Sequence, residues 1–410
     1  MLDTELAPWP SYSDEEVEAA SRVLRSNRVN YWTGKEGRAF EEEFAELIGV
    51  QHAVAVANGT VALDLALLAA GVGPGDEVVV TPRSFIASVS AVVNAGATPR
   101  FADVDLSSQN ITADSIEAVL SPRTRAIVCV HLAGWPCDMD PIMALADRRG
   151  LTVIEDCAQA HGARYRGRHV GSIGHVAAWS FCQDKIITTA GEGGMVTTDD
   201  SAMWDRVWSY KDHGKSWEAV YEREHPPGFR WVHESFGTNW RLTEIQSAIG
   251  RIQLERLPEW SEARRRNAEA IVHTCRSFPS IRVPAVPDHV DHAYYRLFLF
   301  VRPDELLPRW TRDRVAEAIN AKGIPCYPEG LCPEIYREAA FAGTGFRPAT
   351  RLPNARALGE TSLTFLVHPT ITSPQLEAVC EGVGQVMEEA SAGGSGPRDP
   401  SPATHAGRSD

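Results

Sequence analysis

One lysine, Lys185, stands in a stretch of small and apolar residues that covers positions 180–194. The apolar segments on either side, 176–179 and 195–198, predict short buried strands, so we expect Lys185 on a turn inside the folded core. Burial favours the neutral amine of a lysine, and a neutral amine can attack a carbonyl carbon. The stretch therefore predicts a nucleophilic lysine, and the alternative is a surface lysine in a glycine-rich turn.

An acidic residue near the end of a predicted strand favours one kind of carbonyl chemistry. Residues 151–154 are apolar and predict a buried strand, and Asp156 follows shortly after them. A carboxylate there can keep a pyridine nitrogen protonated, which allows the ring of pyridoxal 5'-phosphate (PLP) to accept electrons. The chain between Asp156 and Lys185 is long enough for the short strands that would bring the two side chains together.

A third segment is suited to an anion. The short apolar run 53–57 predicts a strand, and a helix begins close to Gly59 and Thr60. Backbone N–H groups at the start of a helix favour a negative charge, so these two residues suit a phosphate. The alternative is that Thr60 is an ordinary helix N-cap.

Strands and helices alternate through the first half of the chain, with apolar strands predicted near 77–80, 100–103, 126–130 and 152–154. This order indicates a parallel sheet covered on both faces. Ligands of such sheets bind at the carboxyl ends of the strands. The residues that follow predicted strands, and can therefore share one pocket, are Gly59, Phe85, His131, Asp156 and Ser180.

Five ordered motifs resemble the DegT/StrS family of sugar aminotransferases, which belong to the fold-type-I PLP enzymes. The similarity runs from about residue 34 to about residue 267 and continues more weakly to about residue 388. One glycine pattern alone would carry little weight, whereas five motifs in the family's order are highly specific. The motifs occupy residues 58–63, 73–78, 154–162, 180–194, and 239–241 with 246–250.

The resemblance implies an α/β fold of two domains. Residues 1–275 are expected to form the PLP-binding large domain, a three-layer structure with a mainly parallel sheet, whose N-terminal segment can pack with the small domain. Residues 276–392 are expected to form a smaller α+β domain. The tail 393–410 is rich in Gly, Ser and Pro and is expected to be disordered.

The resemblance also assigns roles to individual residues. Lys185 would hold PLP covalently and then move the proton of the substrate, and Asp156 would pair with the pyridine nitrogen. Gln159 would contact the ring hydroxyl, and Phe85 would stack on the ring. Phosphate contacts would come from Gly59, Thr60 and Ser180, together with Asn239 of a neighbouring subunit. A homodimer with shared active sites is therefore expected.

The family's activity is the transfer of an amino group from glutamate or glutamine to a keto sugar, usually a nucleotide-linked one. A keto cyclitol substrate and a non-catalytic, PLP-binding regulatory protein are the alternatives. A sugar dehydratase of this family would carry histidine in place of Lys185, so it is disfavoured. Residues 326–329 depart from the family where a substrate-facing loop is expected after 323–325, which leaves the substrate class open.

Composition excludes several other classes of protein. A formal charge of −14 argues against broad nucleic-acid binding, which requires a basic face. No apolar run approaches the length of a membrane span, and residues 1–6 lack the features of a secretory signal, so we expect a cytoplasmic protein. Eight scattered cysteines without a CxxC pair predict neither disulfides nor a metal site.

Some local features also lead to predictions. We expect a helix at 242–257, a break at Pro258, and a second helix at 260–275. The stretch 213–236 is expected to be a long excursion over the site. We interpret His131 and His161 as structural. Four basic residues near the predicted site are expected to be solvated surface charges rather than diphosphate ligands: His213, Lys215, Arg230 and Arg241.

Overall fold

A seven-stranded sheet forms the centre of the protein. The structure is a computed structural model and describes residues 6–328 and 331–391. Its strand order is β1-β9-β8-β5-β4-β2-β3. The described strands are β1 His52–Val56, β2 Glu77–Val80, β3 Thr98–Phe101, β4 Thr124–Val130, β5 Thr152–Asp156, β6 Arg164–Tyr165, β7 Arg168–His169, β8 Val176–Ser180, β9 Gly194–Thr198, β10 Ile281–Arg282, β11 Val290–Asp291, β12 Leu297–Val301, β13 Cys326–Tyr327 and β14 Ser362–Phe365.

The helices cover both faces of this sheet. One face packs against α3, α4 and α7, and the other packs against α2, α6 and α9. None of the described helices is both long and apolar enough to cross a lipid bilayer. The described helices are α1 Asp14–Ser26, α2 Glu36–Ile48, α3 Gly59–Ala69, α4 Ala87–Asn94, α5 Ala113–Glu117, α6 Met139–Arg149, α7 Ser201–Lys211, α8 Trp217–Tyr221, α9 Glu244–Cys275, α10 Arg312–Ala321, α11 Pro353–Thr361 and α12 Ser373–Ala390.

The sheet is mainly parallel, which confirms the predicted fold class. Strands β8, β5, β4, β2 and β3 run parallel to one another, while β9 lies between β1 and β8 and is antiparallel to both. Its central strands are buried almost throughout and consist mostly of Val, Ile and Ala. Such strands suit a sheet with helices on both faces, because neither face meets water.

A second sheet, of order β10-β12-β14-β13, is antiparallel and has its own apolar cluster. Helices α10 and α12 pack on it, and Leu6 from the N-terminal segment packs against the same cluster. The division into domains at residues 275 and 276 stays a prediction. The expected disordered tail, 393–410, lies outside the described residues.

The predicted break at Pro258 is wrong, because this residue lies inside α9, a continuous helix of 32 residues. Proline removes one backbone hydrogen bond and crowds the preceding turn, an effect of about 3 kcal/mol. Leu254 and Leu257 are buried in the core beside the proline, and α9 also packs along α1 and α2. Tertiary packing of a long helix therefore outweighs the local signal.

Candidate active site

The carboxyl ends of the parallel strands bring the predicted site residues together. Asp156 is the last residue of β5 and Ser180 the last residue of β8, and these two strands are neighbours. Phe85 follows β2, and Gly59 begins α3 directly after β1. The sheet order therefore places at one edge residues that are far apart in the sequence.

Lys185 lies on the loop between β8 and β9, as predicted, and it is half-buried rather than enclosed in the core. The loop is fixed from within, since Thr188 donates a hydrogen bond to the carbonyl of Phe181 (3.0 Å). It is also fixed from outside. The indole N–H of Trp9 donates a hydrogen bond to the backbone carbonyl of Lys185 (2.9 Å), and the ring of Tyr295 lies 4.9 Å from the Nζ of Lys185.

Asp156 is 4% exposed and accepts hydrogen bonds from neutral groups. The hydroxyl of Ser88 donates to Oδ2 (2.7 Å), and the N–H of Ala158 donates to Oδ1 (3.2 Å). Burial raises the pKa of Asp156, and these hydrogen bonds and the charge of Lys185 oppose the rise only partly. In the part of the chain that the structure describes, no basic side chain forms an ion pair with Asp156. The carboxylate therefore lacks a positively charged contact within the described chain, which a cationic group of a ligand would supply.

Helix α3 starts immediately beside Ser180. A Cβ atom added to Gly59 would lie 2.5 Å from the Cβ of Ser180, so only glycine allows this close approach. The helix N-cap is Asn58, whose side chain accepts a hydrogen bond from the N–H of Val61 (3.0 Å). The alternative of Thr60 as the N-cap is therefore wrong, and Thr60 is exposed at the first turn.

Two further predicted cofactor residues differ in their exposure. Gln159 is 3% exposed, and its Oε1 accepts a hydrogen bond from the N–H of Ala133 (2.8 Å), which fixes the orientation of the amide. Phe85 is 61% exposed, so its ring is not part of the core. An exposed ring at the end of a buried strand is available for stacking on a flat ligand.

Asn239 is exposed and lies where the long excursion returns to the sheet. Its neighbour Trp240 is paired through the backbone with Lys211 (3.0 Å) and with Ala57 (2.8 Å) at the end of β1. The excursion 213–236 contains the short helix α8 and packs against α7. Its position over a site stays a prediction.

Of the two histidines near the site, His131 has the hydrogen bonds of a structural residue, whereas the structural role of His161 stays a prediction. Nε2 of His131 is 2.9 Å from Glu155, and its Nδ1 accepts a hydrogen bond from the N–H of Cys137 (3.0 Å). These contacts place the proton on Nε2. His161 contacts the rings of Trp179 and Phe181, and burial lowers its pKa to about 3, so it is neutral. Neither of its ring nitrogens has a hydrogen-bond partner in the described part of the chain.

The expectation for the basic residues is wrong in two cases. Lys215 (3.0 Å) and Arg241 (2.8 Å) both pair with Asp212, which is fully buried, so neither is a solvated surface charge. Arg230 donates hydrogen bonds to backbone carbonyls of α8, whereas His213 is exposed. The sequence could not reveal these pairs, because Asp212 and Arg241 are brought together by the return of the excursion.

Several residues around Lys185 have no predicted role. Trp9 and Tyr295 are distant in sequence from the lysine they contact, so no local pattern could identify them. Asp184 is adjacent to Lys185 and accepts a hydrogen bond from the hydroxyl of Tyr295. Residues 326–329 are those that depart from the family. Of these, Tyr327 lines a cavity beside the loop of Lys185, and residue 329 lies outside the described residues. Gly323 and Pro325, from the preceding segment, line the same cavity.

A model of the DegT/DnrJ/EryC1/StrS aminotransferase family matches residues 10–384. The chain is 39% identical over 386 residues to GDP-perosamine synthase of Caulobacter vibrioides, with 90% of this chain and 98% of that protein covered. It is 37% identical over 384 residues to dTDP-3-amino-3,4,6-trideoxy-alpha-D-glucose transaminase of Streptomyces venezuelae, with 93% and 94% covered. The X-ray structure of an aminotransferase from Psychrobacter cryohalolentis is 56% identical and superimposes with a TM-score of 0.92, over 94% of this chain and 99% of its own.

Proposed function

Because the chain belongs to the DegT/DnrJ/EryC1/StrS aminotransferase family, we propose that it transfers an amino group from glutamate or glutamine to a nucleotide-linked keto sugar. The names of the two relatives contain GDP and dTDP, which supports a nucleotide-linked substrate and leaves the base open. The product would serve the synthesis of an amino sugar for a glycan or a secondary metabolite.

The cofactor of the proposed reaction is PLP, and the residues at the sheet edge fit four of its chemical features. The N-terminus of α3, approached closely by Ser180 at Gly59, suits the phosphate. The exposed ring of Phe85 suits the flat pyridine, and the fixed amide of Gln159 suits its hydroxyl. Asp156, which has no cationic partner among the described side chains, suits the protonated ring nitrogen.

When bound, PLP supplies an aldehyde that takes up the amino group and a ring that accepts electrons. Lys185 would supply the amine that attaches the cofactor and, once the donor's amino group has displaced it, would take up the α-proton of the donor. Asp156 holds a positive charge on the ring nitrogen, which makes electron withdrawal effective. In the second half of the reaction Lys185 returns a proton to the keto sugar's carbon.

The assembly of the proposed enzyme is a homodimer with shared sites. Asn239 would contact the phosphate of the cofactor in the neighbouring subunit. Its exposure in the single chain and its fixed backbone support this assignment. The cytoplasmic location expected from the sequence stays a prediction.

The observation that carries the proposal is that Asp156, a buried carboxylate without an ion-pair partner among the described side chains, lies close enough to the half-buried Lys185 for their charges to interact. Reduction of the purified protein with borohydride, followed by peptide mapping, tests it. We expect a pyridoxyl adduct on Lys185, and we expect turnover of Lys185→Ala to fall by about 10³- to 10⁴-fold. Lys35→Ala removes an exposed lysine, and this matched control keeps the adduct. An adduct on another lysine, or none, contradicts the proposal.

A further inference from the structure

A cavity of about 440 Å³ opens beside the loop that carries Lys185. Its walls come from the segment before α1, from the residues that lead into β12, and from the second sheet. Trp9, which lines it, donates a hydrogen bond to the carbonyl of Lys185 (2.9 Å), and Tyr295 places its ring 4.9 Å from the lysine Nζ. The cavity therefore adjoins the loop of Lys185 through Asp184, Trp9 and Tyr295, whereas Gly59 and Ser180 do not line it.

Arg264 of α9 lines this cavity although it is only 1% exposed. Its Nη1 makes two long hydrogen bonds, 3.4 Å each, to the carbonyls of Tyr294 and Tyr295. Its Nε and Nη2 are buried and have no hydrogen-bond partner in the described part of the chain. The guanidinium lies 5.0 Å from the ring of Trp9. Arg264 is thus a buried cation with two unused donors.

The charges around the cavity do not balance. Asp184 is the one acidic residue in the described lining, and it is already engaged by the hydroxyl of Tyr295 and by Arg296 (3.4 Å). Two arginines therefore face one carboxylate. A buried charge without a partner is unfavourable, and burial accordingly lowers the pKa of Arg264 to about 9. An anion in the cavity would supply the missing partner.

We propose that this cavity binds a carboxylate of the amino donor, with Arg264 as the residue that compensates its charge and Arg296 beside it. The inference rests on the proposed aminotransferase function and adds to it the site of the donor. A guanidinium presents parallel N–H groups that match the two oxygens of a carboxylate, and Arg264 has two such groups without a partner.

The position of the cavity favours the donor over the diphosphate of the keto sugar. The α-carboxylate of an amino acid is attached to the same carbon whose proton Lys185 moves, so it must bind next to this lysine. A diphosphate is separated from the reacting carbon by the sugar ring. The lining residues Asp184 and Trp9 are, respectively, the chain neighbour of Lys185 and the hydrogen-bond donor to its carbonyl, so the positive charge of the cavity lies close to this lysine.

The two half-reactions test the inference separately. Holoenzyme is mixed with glutamate or glutamine alone, and the loss of the cofactor's absorbance gives the dependence on donor concentration. In Arg264→Met we expect the apparent Kd of the donor to rise by about 10- to 100-fold, because a charge-assisted pair is lost. Arg264→Lys keeps the charge without the planar pair of donors, and we expect an intermediate value. Arg265→Gln removes an exposed charge from the same helix and is the matched control.

Binding measurements identify the source of the anion. Calorimetry with glutarate, a dicarboxylate without an amino group, probes the donor site, while GDP and dTDP probe the diphosphate. We expect Arg264→Met to weaken glutarate binding and to leave nucleotide binding unchanged. Weakened nucleotide binding with unchanged glutarate binding would assign the cavity to the diphosphate and overturn the inference.

The remaining outcomes are also decisive. If Arg264→Met and Arg264→Lys unfold at lower temperature but react with donor as the wild type does, Arg264 is structural and the inference is wrong. If the wild-type holoenzyme itself does not respond to glutamate or glutamine, the proposed function fails instead. The two failures are therefore distinguishable, because the first is a property of the variants and the second of the wild type.

Discussion

Two buried aspartates, Asp156 and Asp212, are held in opposite ways. Asp212 is fully buried, and its Oδ1 accepts hydrogen bonds from Lys215 and Arg241, at 3.0 and 2.8 Å. Asp156 is buried almost as deeply, yet its described partners are a hydroxyl and a backbone N–H. The first carboxylate has its countercharges within the fold. Asp156 has no such countercharge in contact with it among the described side chains, and this difference marks it as a residue for a cationic ligand.

The same contrast separates two buried cations. Lys211 is fully buried and pairs with Glu41 (3.3 Å), and burial lowers the pKa of Lys211 although Glu41 opposes the effect. Arg264 forms no ion pair within the described chain and faces a cavity. Buried charges that build the fold are thus compensated internally. The buried charges of Asp156 and Arg264, near Lys185, have no ion-pair partner in the described chain. This is expected where substrates and a cofactor bring charges of their own.

Within the comparison of the two aspartates, the largest expected effect is that of Asp156→Asn on turnover. The amide cannot hold a positive charge on the pyridine nitrogen, so we expect the variant to retain PLP and to lose about 10²- to 10³-fold in kcat. Absorbance of the purified protein measures the cofactor, and a coupled assay measures kcat. Turnover near that of the wild type would show that Asp156 does not act on the ring.

Asp212→Ala should act on stability instead. Removing this carboxylate leaves the charges of Lys215 and Arg241 without their partner, so we expect the free energy of unfolding to fall by about 3 kcal/mol. Denaturant unfolding, followed by circular dichroism, measures the change. Exposed Glu218, paired with Arg223, gives a control variant, Glu218→Ala, that should change stability by less than about 1 kcal/mol. If Asp212→Ala matched this control, the contrast between the two aspartates would be lost.

The smallest expected effect concerns the pH dependence of stability in cofactor-free protein. Burial raises the pKa of Asp156 above its ordinary 3.8, so the folded protein binds this proton at a pH where the unfolded chain has released it. The associated stability is present below the unfolded pKa and is lost as pH rises through the folded pKa. Asp156→Asn cannot ionise, so at neutral pH it should unfold at a slightly higher temperature than the wild type. The difference should disappear in acid, and a pH-independent difference would contradict this account.

Much of the site was predictable because motif residues lie at strand ends. Asp156, Ser180, Gly59 and Phe85 follow strands that the apolar pattern predicts, and a parallel sheet brings such ends to one edge. The family resemblance and the fold class are confirmed. The roles of these residues toward a cofactor, and that of Asn239, stay predictions.

The failures have a common physical cause. Pro258 was expected to end a helix, but burial of α9 against the core and α1 overrides the local preference. Lys215 and Arg241 were expected on the surface, but Asp212 draws them into a buried cluster. In each case a contact between distant segments decides the outcome, and no short pattern contains it.

The sequence by itself determined the alternation of strands and helices, and with it the chemical groups available at the sheet edge: an amine, a carboxylate and a helix N-terminus. Only the tertiary structure decided which charges are compensated, because ion pairs such as that of Asp212 with Arg241 join segments that the chain brings back from a distance. It also decided that Arg264 is buried beside Lys185 with unused donors. Compensation of charge depends on distance in space, which residue order alone does not fix.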